Sequence, residues 1–255
     1  MPVYPSPDRD RLKNCRISPW LAQFLYWFAQ RIFLPLYFGP IHVSGQQHLP
    51  KTGPMILAPT HRSRWDAIMV CFAAGRSVTG DDVHFMVSAN ETLGLQGWFV
   101  RRLGGFPVDT RRPGIASLRH GIELLEQRRI LTIFPEGDIF RDGALHPLKP
   151  GLARMAAYTL ETDEAGNGSD VQSGVRSGDP INDIAVVPIS FDYGPGGPRF
   201  GSAIAIAIGQ PISARACQGS STKATSRKII GQLYQGFEQL GLRSPAVSER
   251  PMSVV

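Results

Sequence analysis

From residue 40 onward the chain alternates short apolar runs with longer stretches of helical periodicity, and this alternation restricts the fold more than any other feature. PMILAPT, VHFMVSA and ILTIF read as buried strands, and WDAIMVCFAA reads as a helix. Pro113 opens a further helix in which Ile115, Leu118, Ile122 and Leu125 recur at the helical spacing. KPGLARMAAYTLE adds another helix, IAVVPIS and AIAIAIG add two late strands, and a last helix runs roughly over 223–240. Strands that alternate with helices predict an α/β fold, here a mixed, largely parallel central sheet flanked by helices. A chain of 255 residues, 42% hydrophobic, can bury such a core.

The segment before this domain is of another kind. Residues 1–18 are polar and charged and lack a secretory signal, so the expected location is the cytoplasmic side. PWLAQFLYWFAQRIFLPLYF, residues 19–38, is strongly apolar apart from Gln23, Gln30 and Arg31. A helix from Trp20 to Leu34 spans about 22 Å, short of the ~30 Å hydrocarbon core, and Pro35 is expected to bend or end it. Tryptophan and tyrosine within the segment, preceded by Arg9, Arg11, Lys13 and Arg16, fit an N-terminal membrane-anchoring helix on an anionic cytoplasmic surface. A buried core helix is the alternative. The expected organisation is a tail and membrane-associating segment over 1–38, a catalytic domain over 39–242, and a disordered tail over 243–255. Within the domain, 161–182 reads as a flexible acidic insertion.

Charge is unevenly distributed. Glu161 to Asp183 holds six acids and one base, a local −5 that leaves +11 for the rest of a chain whose net charge is +6. A body this basic implies an anionic partner: nucleic acid, a phosphate-bearing substrate or an acidic membrane. Nucleic acid is disfavoured, because stacking platforms need aromatics among the arginines and here they concentrate in the N-terminal segment. Cys15, Cys71 and Cys217 have neither metal-ligand nor redox spacing. There is no GxSxG elbow, Walker A loop, dinucleotide fingerprint or HExxH motif.

Three stretches can carry chemistry. In THRSRWD, His61 follows a buried strand and Asp66 opens the next helix. Five residues of continuous helix would turn the two side chains about 140° apart, whereas a loop-to-helix turn can fold Asp66 beneath the imidazole. A carboxylate so placed fixes the tautomer of a general base; a histidine that merely bonds the turn has the same sequence. GGFPVDTRRPG sets Arg111 and Arg112 before a helix N-terminus, a phosphate site or else a solvated basic turn. In IFPEGDIFRDG a strand ends in a Pro-Glu-Gly turn that holds Glu136 at the sheet edge, where it can accept hydrogen bonds from a polyol, with Arg141 and Lys149 near enough to complete an anion site.

THRSRWD, GGFPVDTRR, FPEGDIFRDG and VVPIS together resemble, in order and spacing, the four motifs of the glycerolipid acyltransferase superfamily, which includes 1-acylglycerol-3-phosphate O-acyltransferases. The resemblance covers roughly residues 40–210. It implies His61 as general base, Asp66 as its orienting partner, Arg111 or Arg112 as phosphate ligand, and Glu136 and Gly137 in the acceptor pocket. It further implies lysophosphatidate as acceptor, with glycerol 3-phosphate or another lysophospholipid as the alternative, and an acyl-CoA or acyl-ACP thioester as donor, with no cofactor beyond that co-substrate. Thr60 stands where the family often has asparagine, Thr110 separates Asp109 from the arginines, and Ile139 replaces an arginine of the third motif.

Overall fold

The computed structural model describes residues 17–109, 114–164 and 181–242. Its centre is one sheet of β1 (Ile41–Ser44), β2 (Met55–Pro59), β3 (Val83–Ser88), β4 (Gly105–Val108), β5 (Ile130–Thr132), β6 (Ala185–Asp192), β7 (Ile204–Ile208) and β8 (Ile212–Ser213). The order is β1-β7-β6-β2-β5-β3-β4, with β8 paired to β6. From β6 through β2, β5 and β3 to β4 every pairing is parallel; β7 and β8 run antiparallel to β6. The expected mixed, largely parallel sheet is therefore what forms.

The helices are α1 (Pro19–Phe28), α2 (Leu34–Tyr37), α3 (Asp66–Ala74), α4 (Arg76–Thr79), α5 (Gly94–Arg102), α6 (Ile115–Glu126), α7 (Gly151–Glu164) and α8 (Thr222–Gln239). Strand pleating distributes the apolar side chains to two cores. On one face Ile56, Leu131 and Val186 pack with Leu125 of α6, Leu152 of α7 and Phe237 of α8. On the other, Met55, Leu57 and Val187 pack with Met69 and Ala73 of α3 and with Leu34 and Phe38. Full burial of each large side chain contributes about 1.5–3 kcal/mol, which holds the three layers together.

Pro35 does not end the N-terminal helix. A π turn over Ala29–Phe33 joins α1 to α2, with the Leu34 N–H donating to the Ala29 carbonyl, and the chain stays helical to Tyr37. The wider turn removes the clash that a proline ring makes with an α-helical carbonyl four residues back. No helix among the described residues is long and apolar enough to cross a membrane. The sequence pattern also hid β1 and α5: β1 is only four residues long, and α5 carries its apolar side chains outward. The expected tail over 243–255 and residues 165–180 of the 161–182 insertion lie outside the described residues, while 161–164, expected to belong to the insertion, form the last turn of α7.

Candidate active site

The parallel strands β6, β2 and β5 end side by side, and the chain leaves each of them into one cluster. Thr60 holds the exit from β2: its N–H donates to the Ile189 carbonyl at 2.9 Å and its Oγ1 accepts from the Phe191 N–H at 3.2 Å. His61 follows. Its ring stacks on Phe134 beyond β5 with centroids 4.1 Å apart, and its side chain keeps 20% of its surface exposed.

Asp66 does fold back beneath the imidazole. Its Oδ2 lies 2.9 Å from His61 Nδ1 and also accepts the N–H groups of Arg62 at 2.6 Å and Ser63 at 2.8 Å. The geometry works because residues 61–63 precede the helix as a loop and a turn at 64–65 leads into it, with the Asp66 N–H donating to the Ser63 carbonyl at 3.2 Å. Oδ1 accepts the hydroxyl of Tyr193, just past β6, at 2.6 Å. A fully buried carboxylate is thus met by donors on both oxygens, as burial of that charge requires. Because a carboxylate only accepts, the network assigns the His61 proton to Nδ1 and leaves the Nε2 lone pair free. Burial, and next the charge of Asp66, push the Tyr193 hydroxyl well above its usual pKa, so it stays a donor.

Glu136 is not the exposed acceptor of substrate hydroxyls that its turn suggests, nor is it at a sheet edge, since β5 lies between β2 and β3. It is 2% exposed and its oxygens are already engaged. Oε2 accepts the His61 N–H at 2.9 Å, Oε1 accepts the His146 N–H at 3.0 Å, and Arg62 Nη1 bridges both at 3.0 and 3.1 Å. Arg62 Nη2 donates to the Ala144 carbonyl at 2.9 Å. The physical reason is the neighbouring arginine: a buried carboxylate binds a buried guanidinium more strongly than a solvated hydroxyl. The third motif is thereby tied to the first, a link the Phe140 N–H reinforces by donating to the His61 carbonyl at 2.9 Å.

The remaining expected residues divide. Gly137 turns with φ +74°, and a Cβ there would lie 2.3 Å from Lys149 Nζ, so glycine lets the lysine lie across the turn. Arg141 is exposed at the surface of the same loop. Arg111 and Arg112 lie outside the described residues, although β4, the strand before them, is parallel to β3 and ends on the active-site side of the sheet. Sequence reasoning missed Arg62 and Tyr193. Arg62 stood inside the first motif without a role; Tyr193 was signalled only by its place at the end of a buried strand.

A second histidine pair sits beside this cluster. His146 Nε2 lies 2.8 Å from Asp142 Oδ2, and the ring stacks on Phe140 at 3.6 Å. That bond holds the Asp142 carboxyl below its usual range. Elsewhere His48 Nδ1 meets the Ile208 carbonyl at 2.8 Å, and burial pushes His84 and His120 below the ordinary imidazole value.

A buried carboxylate that orients an accessible histidine at the strand ends of an α/β sheet has the arrangement that a general base requires. The sequence profile of the acyltransferase family matches residues 40–192, more than half of the chain, and the chain belongs to that family. The 1-acyl-sn-glycerol-3-phosphate acyltransferase of Bacillus subtilis (strain 168) is 31% identical over 121 residues, which is 46% of this chain and 57% of that protein. The mitochondrial glycerol-3-phosphate acyltransferase 1 of Homo sapiens is 24% identical over 192 residues, 69% of this chain. The match spans only 21% of the length of that relative. Among solved structures, the 1-acyl-sn-glycerophosphate acyltransferase PlsC from Thermotoga maritima has the same fold, with a TM-score of 0.60 at 20% identity over 88% of this chain and 81% of that one.

Proposed function

We propose that this protein transfers an acyl chain from an acyl thioester to the 2-hydroxyl of 1-acylglycerol 3-phosphate, giving phosphatidate. The observation that carries the reading is the 2.9 Å contact between His61 Nδ1 and buried Asp66, which leaves Nε2 free at the open end of the sheet. Nε2 takes the proton of the acceptor hydroxyl as its oxygen attacks the thioester carbonyl, and Asp66 stabilises the imidazolium. Collapse of the tetrahedral intermediate breaks the carbon–sulfur bond, and the imidazolium returns its proton to the departing thiolate. No covalent acyl-enzyme is required. The donor is an acyl-CoA or acyl-ACP, with no further cofactor in the scheme.

Arg111 or Arg112 is proposed to hold the acceptor phosphate, with Lys149 across Gly137 and Arg141 supplying further positive charge. Glu136 serves the acceptor pocket indirectly, by fixing the backbone of His61 and the guanidinium of Arg62. The catalytic unit spans 39–242, and residues 1–38 associate with the cytoplasmic face of a membrane, where the lipid acceptor resides. The relatives' names support this reading, and they also favour a second one: the match to glycerol-3-phosphate acyltransferases extends over 192 residues, against 121 for the Bacillus lysophosphatidate enzyme. Glycerol 3-phosphate is therefore the rival acceptor.

Purified protein in lipid, given a labelled acyl thioester and a panel of acceptors, tests both readings. Lysophosphatidate should be acylated fastest. His61→Ala should lose at least about a thousandfold in turnover while melting like the parent. Unchanged turnover in His61→Ala would sink the mechanism, and faster acylation of glycerol 3-phosphate would replace the acceptor.

A further inference from the structure

Helix α5 is built inside out. The side it packs inward carries Gly97, buried where a Cβ would come 2.0 Å from Thr92 backbone, and Val100, which lies against Gly105. Outward it presents Leu95 at 76% exposure, Trp98 at 41% and Phe99 at 39%, with exposed Arg102 one further turn along. These positions follow the i, i+3, i+4, i+7 spacing of a single helical face. A helix whose only outer neighbour is water reverses that arrangement, since apolar side chains gain by turning inward.

Helix α1 repeats the inversion. It buries Leu21 and Ala22 and exposes Trp20, Phe24, Trp27 and Phe28. The two helices meet at their ends: the Ser18 N–H, one residue before α1, donates to the carbonyl of Arg102 at 3.0 Å. Chemistry at the α5 face selects the occupant. The Arg102 guanidinium carbon lies 5.6 Å from the Trp98 ring centroid, and an aromatic next to an arginine suits the headgroup level of a bilayer. Glu91, the only acid between residues 88 and 103, is already paired with Arg64 at 2.7 Å. A basic surface of this kind attracts anionic lipid and repels a second copy of a chain whose net charge is +6.

We propose that α5 is a second membrane-contacting element, whose Leu95, Trp98, Phe99 and Arg102 seat in the interface of an anionic phospholipid bilayer beside α1. This rests on the reading that the enzyme works at a membrane and adds which part of the folded domain touches it. The active site would then be held by two helices in a fixed orientation to its lipid acceptor, where a single anchor leaves the domain free to pivot.

Flotation of the intact protein with phosphatidylcholine vesicles, with and without phosphatidylglycerol, tests this alongside hydrogen exchange of the amides of 94–102. Vesicles containing phosphatidylglycerol should bind the protein and slow that exchange. Leu95→Ser with Trp98→Ser should weaken binding about tenfold, and Trp20→Ser with Phe24→Ser should weaken it comparably. Exchange that is unchanged by bound vesicles overturns the role of α5 while leaving the membrane reading intact. Absence of any vesicle binding overturns both. Protection of 94–102 that rises with protein concentration in lipid-free solution would assign the face to a second copy instead. The exchange measurement uses the parent protein, so it stands even if the double variant fails to fold.

Discussion

The active-site cluster and the α1–α5 surface each break the usual rule of burial, in opposite directions. At the strand ends, charged groups lie inside: Arg62, Asp66 and Glu136 are 6%, 0% and 2% exposed. At the α1–α5 surface, Trp20, Phe24, Leu95 and Trp98 lie outside. The interior inversion is compensated within the protein, because His61, Ser63, Tyr193 and His146 supply donors to the two buried carboxylates. The exterior inversion has no compensation within the described residues. An inversion settled internally fixes geometry for chemistry, whereas one left open on the surface points to a partner.

The comparison can be broken first at Asp66. Asp66→Asn keeps the shape and offers an amide where His61 needs an acceptor, so turnover should fall by about 10³–10⁴-fold with KM little changed. Loss of less than about tenfold in kcat would show that the carboxylate does not orient the base. Next comes Arg62. Arg62→Met leaves Glu136 buried with only backbone donors and should cost about 3–5 kcal/mol, seen as a melting temperature lower by roughly 10 °C. Adding Glu136→Gln removes the stranded charge and should recover part of that loss; a double variant less stable than Arg62→Met would mean that the pair is not what the site depends on.

The smallest effect belongs to Tyr193. Tyr193→Phe leaves Asp66 Oδ1 without its 2.6 Å donor, a loss of about 1–3 kcal/mol in stability. Turnover should drop roughly tenfold, because His61 then faces a less firmly held carboxylate. Calorimetry and single-turnover kinetics on the same sample separate these contributions. A variant as stable and active as the parent would reduce Tyr193 to a bystander.

Much of this was legible in the chain. The strands β2, β3, β5, β6 and β7 and the helices α3, α6, α7 and α8 announce themselves by apolar period, since burial on a sheet or against it imposes that period directly. His61 and Asp66 were legible because their partnership is local, five residues apart across one turn. Glu136 was legible as a candidate site residue but its task was not, because its partner Arg62 lies 74 positions away along the chain. Tyr193 is farther still, 127 positions from Asp66. Helix α5 escaped because periodicity arguments assume that the apolar side faces the core, and here glycine does.

The sequence by itself determined the alternating α/β architecture and the acidic–basic imbalance, and it put His61 and Asp66 within reach of each other, since these rest on composition and on neighbours within a few residues. Tertiary structure alone decided that Glu136 holds backbone and guanidinium, that Tyr193 closes the carboxylate shell, and that no described residue covers the apolar sides of α1 and α5. Those outcomes depend on which strand ends become adjacent, and parallel pairing brings together residues whose separation along the chain carries no trace of it.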